Sequence, residues 1–202
     1  VERRLGNEFA AAESLAEFAR IDQAERSLMT SLQAAEAQPE DAMLAAATAS
    51  AHLEMGYVEE AQEWVDRAFA MRNNIPEAHM VAGRIARLQG DPDTALVHFE
   101  LGTSLCQYDP RPWIERSEMA LSAGDHQAAR NYAHQATDVA GADPRVFLAQ
   151  ARILIALDAL DDALASCEAA LMRDPKREET LQLHAHIWDL MVKANEPAVK
   201  DD

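Results

Sequence analysis

Three glycines, Gly56, Gly90 and Gly124, lie 34 residues apart, and each is followed five residues later by an alanine, Ala61, Ala95 and Ala129. A fixed interval between reversals is the tightest constraint in this chain, because it divides the sequence into units of one length. Glycine takes up the left-handed backbone that ends a helix without steric cost. A small residue just beyond it is what two helices need if they are to pack closely.

Laid on this interval, the chain divides into blocks 8–41, 42–75, 76–109, 110–143 and 144–177, with a partial block from 178 to about 195. The reversal column reads Asp22, Gly56, Gly90, Gly124, Asp158, and five residues on stand Ser27, Ala61, Ala95, Ala129, Ala163. The eighth place of each block holds Leu15, Ala49, Gly83, Ser117, Ala151, and the twenty-seventh Ala34, Ala68, Gly102, Ala136, Ala170. Three small columns in register with a turn column are more than an alanine-rich chain gives by chance. Pro39, Pro76, Pro110, Pro144 and Pro175 fall near block boundaries, where proline stops one helix and starts the next. In Asp109-Pro110 and Asp143-Pro144 the aspartate is placed to cap and the proline to sit at the first helical position.

Each block carries two stretches with apolar residues at helical spacing. In block 76–109 these are Met80, Val81, Ile85 and Leu88, then Ala95, Leu96, Phe99 and Gly102. The predicted unit is a helical hairpin. One hairpin cannot bury its own apolar face, so hairpins stack, each covering the next.

This unit resembles the tetratricopeptide repeat (TPR), whose signature places small residues at the eighth, twentieth and twenty-seventh places and proline near the end. The resemblance covers about 8–177, and the stretch 176–193 is similar to that family's solvating last helix. Trp113 and Phe147 match its large fourth place, and Tyr57 and Phe99 fall near other aromatic places. The resemblance implies an all-α fold: a right-handed α-solenoid of five stacked hairpins over 8–177, with a capping helix at 178–195. Residues 1–7 are an N-terminal segment open to disorder, and 196–202 are expected to be a flexible tail. Block 8–41 departs from the pattern, with Ser27 for alanine and no turn glycine; block 144–177 has LDALDDA in place of the glycine turn.

The resemblance also implies a concave, protein-binding face lined by four places of each first helix. Its fifth place reads Ala12, Ala46, Met80, Ile114, Leu148, and its second Phe9, Met43, Glu77, Arg111, Arg145. The ninth reads Ala16, Ser50, Arg84, Glu118, Arg152, and the twelfth Ala19, Leu53, Arg87, Leu121, Ile155. The expected peptide-binding groove is therefore Met80, Arg84, Arg87, Arg111, Ile114, Glu118, Arg145, Leu148 and Arg152. Apolar side chains of a partner segment would meet Met80, Ile114 and Leu148, and its carboxylates the arginines, two hydrogen bonds at a time.

The competing reading is an internal ionic ladder. Glu118 would be shared between Arg84 and Arg152, Arg111 would pair with Glu115, and Arg87 with Asp91. Arg145, with no acid three or four residues away, is the best candidate for a ligand contact. The lysine and asparagine clamp of chaperone-tail binders does not occur; its places hold Ala12 and Ala16, Ala46 and Ser50, or Met80 and Arg84.

Composition narrows the partner further. Eighteen basic against 35 acidic residues leave a formal charge of −17, which disfavours nucleic acid and anionic lipid. No apolar run approaches a membrane span. Cys106 and Cys167 stand at non-equivalent places and read as small apolar residues. His184 and His186 point to opposite sides of a helix, and His98, His126 and His134 show no ligand spacing, so no metal or other cofactor is expected. Phosphate loops and nucleophile motifs are absent from the sequence.

The expectation is thus a non-catalytic adaptor for a protein or peptide partner with acidic and apolar side chains. The alternatives are a self-associating homo-oligomeric module and the docking arm of a larger enzyme. An arginine-rich, lysine-poor composition points to a bacterium and, by analogy, to a secretion, pilus or envelope assembly. The compartment stays open: cytoplasm is slightly favoured, periplasm if a leader was removed.

Overall fold

A computed structural model describes residues 2–140 and 142–195, with side chains from 18 to 194 within those ranges. The residues fall into two compact units, Val1–Leu105 and Cys106–Asp202. Helices are the only regular structure among the described residues.

The first unit holds α1 (Glu2–Ala37), α2 (Ala42–Glu54), α3 (Val58–Met71), α4 (Pro76–Leu88) and α5 (Pro92–Leu105). α2 pairs with α3 and α4 with α5 as hairpins, α2 packs on α4, and α1 lies along α2. The second unit holds α6 (Arg111–Ser122), α7 (His126–Val139), α8 (Pro144–Ala156), α9 (Leu160–Arg173) and α10 (Glu178–Asn195). Here α6 pairs with α7 and α8 with α9, α8 packs on both α6 and α7, and α10 closes on α9.

One device closes all four hairpins. Gly56, Gly90 and Gly124 adopt φ of 80°, 79° and 77°, and Asp158 takes φ 56° at the equivalent place. The next backbone N–H reaches back to the carbonyl five residues earlier: Tyr57 to His52, Asp91 to Ala86, Asp125 to Ala120 and Ala159 to Leu154, each at 2.9–3.0 Å. That bond satisfies a carbonyl which the end of a helix otherwise leaves unpaired. At the opposite ends Asp41, Asp125 and Asp143 cap α2, α7 and α8 through their side chains, and Pro144 stands in the first turn of α8.

The small columns then do the packing. In the four blocks from 42 to 177 every residue of the eighth, twentieth and twenty-seventh places is buried, Ala49, Ala61, Ala68, Ala95, Ala129, Ala151, Ala163 and Ala170 completely. Larger side chains fill the space between, Leu53, Val65, Val81 and Ile85 in the first unit and Leu154, Cys167 and Ile187 in the second. Cys167 is buried and its thiol meets the Thr180 carbonyl at 3.3 Å, whereas Cys106 is half-exposed; both are free thiols.

Block 8–41, expected to be a hairpin, is instead part of the single unbroken helix α1, which also takes in residues 2–7. From Asn7 to Gln38 the chain has neither glycine nor proline and is rich in strong helix formers. Asp22 stays helical and pairs with Arg26 one turn on, at 2.6 Å. Without a reversal, Ser27 remains exposed and Ala34 only half-buried. The tail expected at 196–202 lies outside the described residues.

Candidate functional site

In the first unit α1, α2 and α4 enclose a cleft of about 390 Å³. Arg20, Gln23, Ala24 and Ser27 come from α1, Leu53 and Glu54 from the end of α2, and Arg84 from α4. Leu53 and Arg84 occupy the twelfth and ninth places of consecutive first helices, one turn of helix apart in the repeat, so they reach the same face. A guanidinium from α1 and another from α4 thus border the cleft, with Glu54 as the acid in its lining and Leu53 and Ala24 as its apolar members. A wider hollow of about 690 Å³ opens among the loops and helix ends, with Pro39, Asp41, Met43, Met71 and Arg72 in its wall. Met43, a second-place residue, is exposed there.

Two groove residues of the sequence reading belong to the core. Met80 and Leu148 are only 4% and 3% exposed, because the close approach of alanine-lined helices leaves little room at the fifth place. Ile114 is half-buried and borders a narrow apolar gap with Ala133, Val146 and Ile153. The polar members are the accessible ones: Arg87, Arg111, Arg145 and Arg152 are exposed, Arg84 and Glu118 intermediate.

In the second unit the arginines grip carboxylates close by. Arg111 grips the Asp109 carboxylate, with Nη2 to Oδ2 at 2.7 Å and Nε to both oxygens at 3.1 Å. Arg145 grips Asp143 in the same way, at 2.7, 3.0 and 3.1 Å. Arg145 is therefore not the unpaired contact that its sequence neighbours at three and four residues suggest. In both Asp-Pro-Arg segments the capping aspartate also accepts the arginine backbone N–H, at 2.9 Å, which folds the guanidinium back over the cap.

Arg152 bonds Glu179 at 2.5 Å, and Arg177 reaches the other oxygen of Glu179 at 3.1 Å. The guanidinium hydrogen bond from Arg145 holds Asp143 below its ordinary carboxylate range against the pull of burial, and the charge of Arg177 adds to this. Burial pushes Glu179 up, and the bonds from Arg177 and Arg152 more than offset it.

Several pairings went unread in the sequence. His134 Nδ1 meets Asp138 Oδ2 one turn on at 3.0 Å, a spacing the sequence displays openly. His79 and His98 approach through their Nδ1 atoms at 3.0 Å, while His79 Nε2 lies 2.9 Å from the Asn73 carbonyl. The carbonyl can only accept, so neutral His79 donates from Nε2 and accepts at Nδ1 from His98 N–H. Burial pushes His98 down, and any charge on His79 would push it further. His52 is buried between Tyr57 and Trp64 with neither ring nitrogen hydrogen-bonded, and burial pushes it down against the charges of Glu60 and Glu63. Guanidinium groups cover the large fourth-place rings, Arg116 over Trp113 at 5.0 Å and Arg173 over Phe147 at 4.1 Å. Among the described residues no group of three metal-ligating side chains converges, and no helix is long and apolar enough to cross a membrane.

Hairpins closed at one interval by left-handed turns, with buried small columns, define a helical-repeat protein of the all-α solenoid class. No family model and no curated protein matches the sequence. Solved structures do. The thermophilic TPR protein TTC0263 of Thermus thermophilus matches at 20% identity over 93% of this chain and 98% of that one, with a TM-score of 0.72. YrrB, a TPR protein with an unusual peptide-binding site, matches at 17% identity over 82% and 85%, with a TM-score of 0.54. The first TPR of Spaghetti (RPAP3), bound to the HSP90 peptide SRMEEVD, matches at 17% identity over 58% and 95%, with a TM-score of 0.53. The chain has the tetratricopeptide-repeat fold.

Proposed function

We propose that this protein is a non-catalytic interaction scaffold that holds an acidic, partly apolar peptide or helical segment of a partner. The observation that carries the reading is the cleft between α1, α2 and α4, where Arg20 and Arg84 flank Leu53. In a chain of net charge −17, two guanidinium groups against the single acid Glu54, beside Leu53 and Ala24, favour carboxylates next to an aliphatic side chain. The exposed guanidinium edges of Arg111, Arg145 and Arg152 extend the same preference to the second unit. Their own carboxylates hold them in place, so a ligand would meet arginines already ordered. YrrB and the RPAP3 repeat, which share the fold, are peptide binders.

Of the 18 basic residues only three are lysine, a bias that favours a bacterial source. The setting we propose is a multiprotein assembly of secretion, pilus or envelope biogenesis. The test is fluorescence anisotropy with a panel of labelled amphipathic peptides, acidic and lysine-substituted, against the wild type, Arg20→Ala/Arg84→Ala and Arg145→Ala/Arg152→Ala. Acidic peptides should bind, weaken with salt and lose affinity most in the Arg20/Arg84 variant, with helicity unchanged. Equal binding of acidic and basic peptides, or affinity indifferent to both double variants, would overturn the reading. Pull-down with the same variants as controls then identifies the natural partner.

A further inference from the structure

The helix α10 carries the pattern of a first helix, and among the described residues no second helix follows it. Counted from 178, Leu181 stands at the large fourth place, with Trp113 and Phe147, and Ala185 at the small eighth place, with Ala49, Gly83, Ser117 and Ala151. Those four equivalents are all buried, each against the second helix of its own hairpin. Ala185 is exposed. So are Leu181, Trp188 and Val192, at 48%, 49% and 56%. The spacing of 181, 185, 188 and 192 places all four within about 60° of arc on an α-helix. The opposite side is occupied, since Ile187 is fully buried with Leu183 and Met191 against the last hairpin.

This face is shaped for a helix, and the chain does not fold one back onto it at the usual place. Val192 falls in the reversal column, where the preceding blocks have Gly56, Gly90, Gly124 and Asp158. A β-branched residue resists the left-handed conformation, and α10 runs on to Asn195 instead of turning.

We infer that a second copy of this chain covers this face, α10 packing antiparallel on α10 of its partner about a two-fold axis. The stripe reads the same in both directions, with spacings of four, three and four. Centred between Ile187 and His186, antiparallel pairing sets Leu181 against Val192 and Ala185 against Trp188 of the other copy, small against large. The exposed flank of the same helix, Glu178, Gln182, Asp189 and Lys193, is also complementary to itself in this orientation. Glu178 falls beside Lys193 and Gln182 beside Asp189, so no two like charges face each other. In an antiparallel two-fold pair the same flank of each copy lies along the other, which is what brings Glu178 and Lys193 together. The Glu178–Lys193 complementarity and the pairing of Ala185 with Trp188 thus carry the choice of this direction. This pairing does not depend on the cleft of the first unit.

Sedimentation of the full chain over a wide concentration range, at physiological ionic strength to screen its net charge, should show a monomer–dimer equilibrium. Trp188→Glu should weaken the dimer roughly 30-fold, the effect of removing a central aromatic anchor, with helicity retained. Lys193→Glu should weaken it several-fold, and Glu178→Lys added to Lys193→Glu should restore it. With Cys106→Ser as background, the Leu181→Cys/Val192→Cys variant should oxidise to a covalent dimer while neither single variant does. A monomer at every concentration, a dimer that survives Trp188→Glu, or cross-linking by Leu181→Cys alone would each overturn the proposal. A monomer that instead binds a helix of another protein through Trp188 would overturn the choice of a second copy.

Discussion

Gly83 and Ser117 occupy the same place in successive hairpins, and the two hairpins use it in opposite ways. In α4 and α5 the missing side chain makes room for a ring: a Cβ built on Gly83 would lie 2.6–2.9 Å from three atoms of Phe99. Phe99 is fully buried there, and eight residues of α4 are buried with it. In α6 and α7 the hydroxyl of Ser117 donates to the Ala129 carbonyl at 2.6 Å, the place facing it holds Ala133 instead of phenylalanine, and only Pro112 and Ser117 of α6 are buried. One hairpin is held by volume, the other by a polar stitch. The turn and the small columns set the path of the backbone; the residues between decide how much holds it.

The contrast can be broken at several points. Phe99→Ala should have the largest effect, a loss of about 3–5 kcal/mol in urea unfolding, because it empties the centre of a close-packed hairpin. Ala133→Gly at the equivalent place should cost only about 1 kcal/mol, the penalty of glycine within a helix. A similar loss at both places would mean that the two hairpins are built alike. Gly83→Ala should follow at about 1–3 kcal/mol, from overpacking against the Phe99 ring. Pairing it with Phe99→Leu should recover part of the loss, and strict additivity would show that the methyl group and ring do not compete. Ser117→Ala should cost about 1 kcal/mol, since one hydrogen bond is lost with little change of volume.

The smallest effect is on pH dependence, and its window should differ between the units. His52 and His98 lie below their ordinary value of 6.5, so the folded first unit binds fewer protons than the unfolded chain and loses stability as pH falls below 6.5. Asp143 and Glu179 lie below ordinary values of 3.8 and 4.5, so the second unit keeps their contribution until pH falls into that range. Single-tryptophan variants retaining Trp64 or Trp188 report the two units separately in urea melts between pH 7 and 5. Equal midpoint shifts would abolish the distinction.

The hairpins were legible because their punctuation is local: a left-handed glycine, a capping aspartate and a proline act within a few residues of themselves. Asp158 shows how far that goes, turning at φ 56° where Asp22, in a stretch free of glycine and proline, stays helical. An aspartate permits the reversal without compelling it, so the first block could not be read from its column alone. The arginine partners were missed for a different reason. Helical pair rules look three and four residues away, whereas Arg111 and Arg145 fold back two residues onto their own caps. The burial of Met80 and Leu148 and the meeting of His79 with His98 depend on which helices face each other, and no spacing along the chain encodes that.

The even placement of the reversals has a bearing on how such a chain can change in length. Adding or removing 34 residues moves every later helix by one whole unit and leaves each side chain facing the kind of neighbour it had before. Adding one residue inside a helix swings all that follows by about 100°, turning buried alanines towards water. Growth by duplication is therefore nearly free of cost to the core, while slippage by a single codon is not.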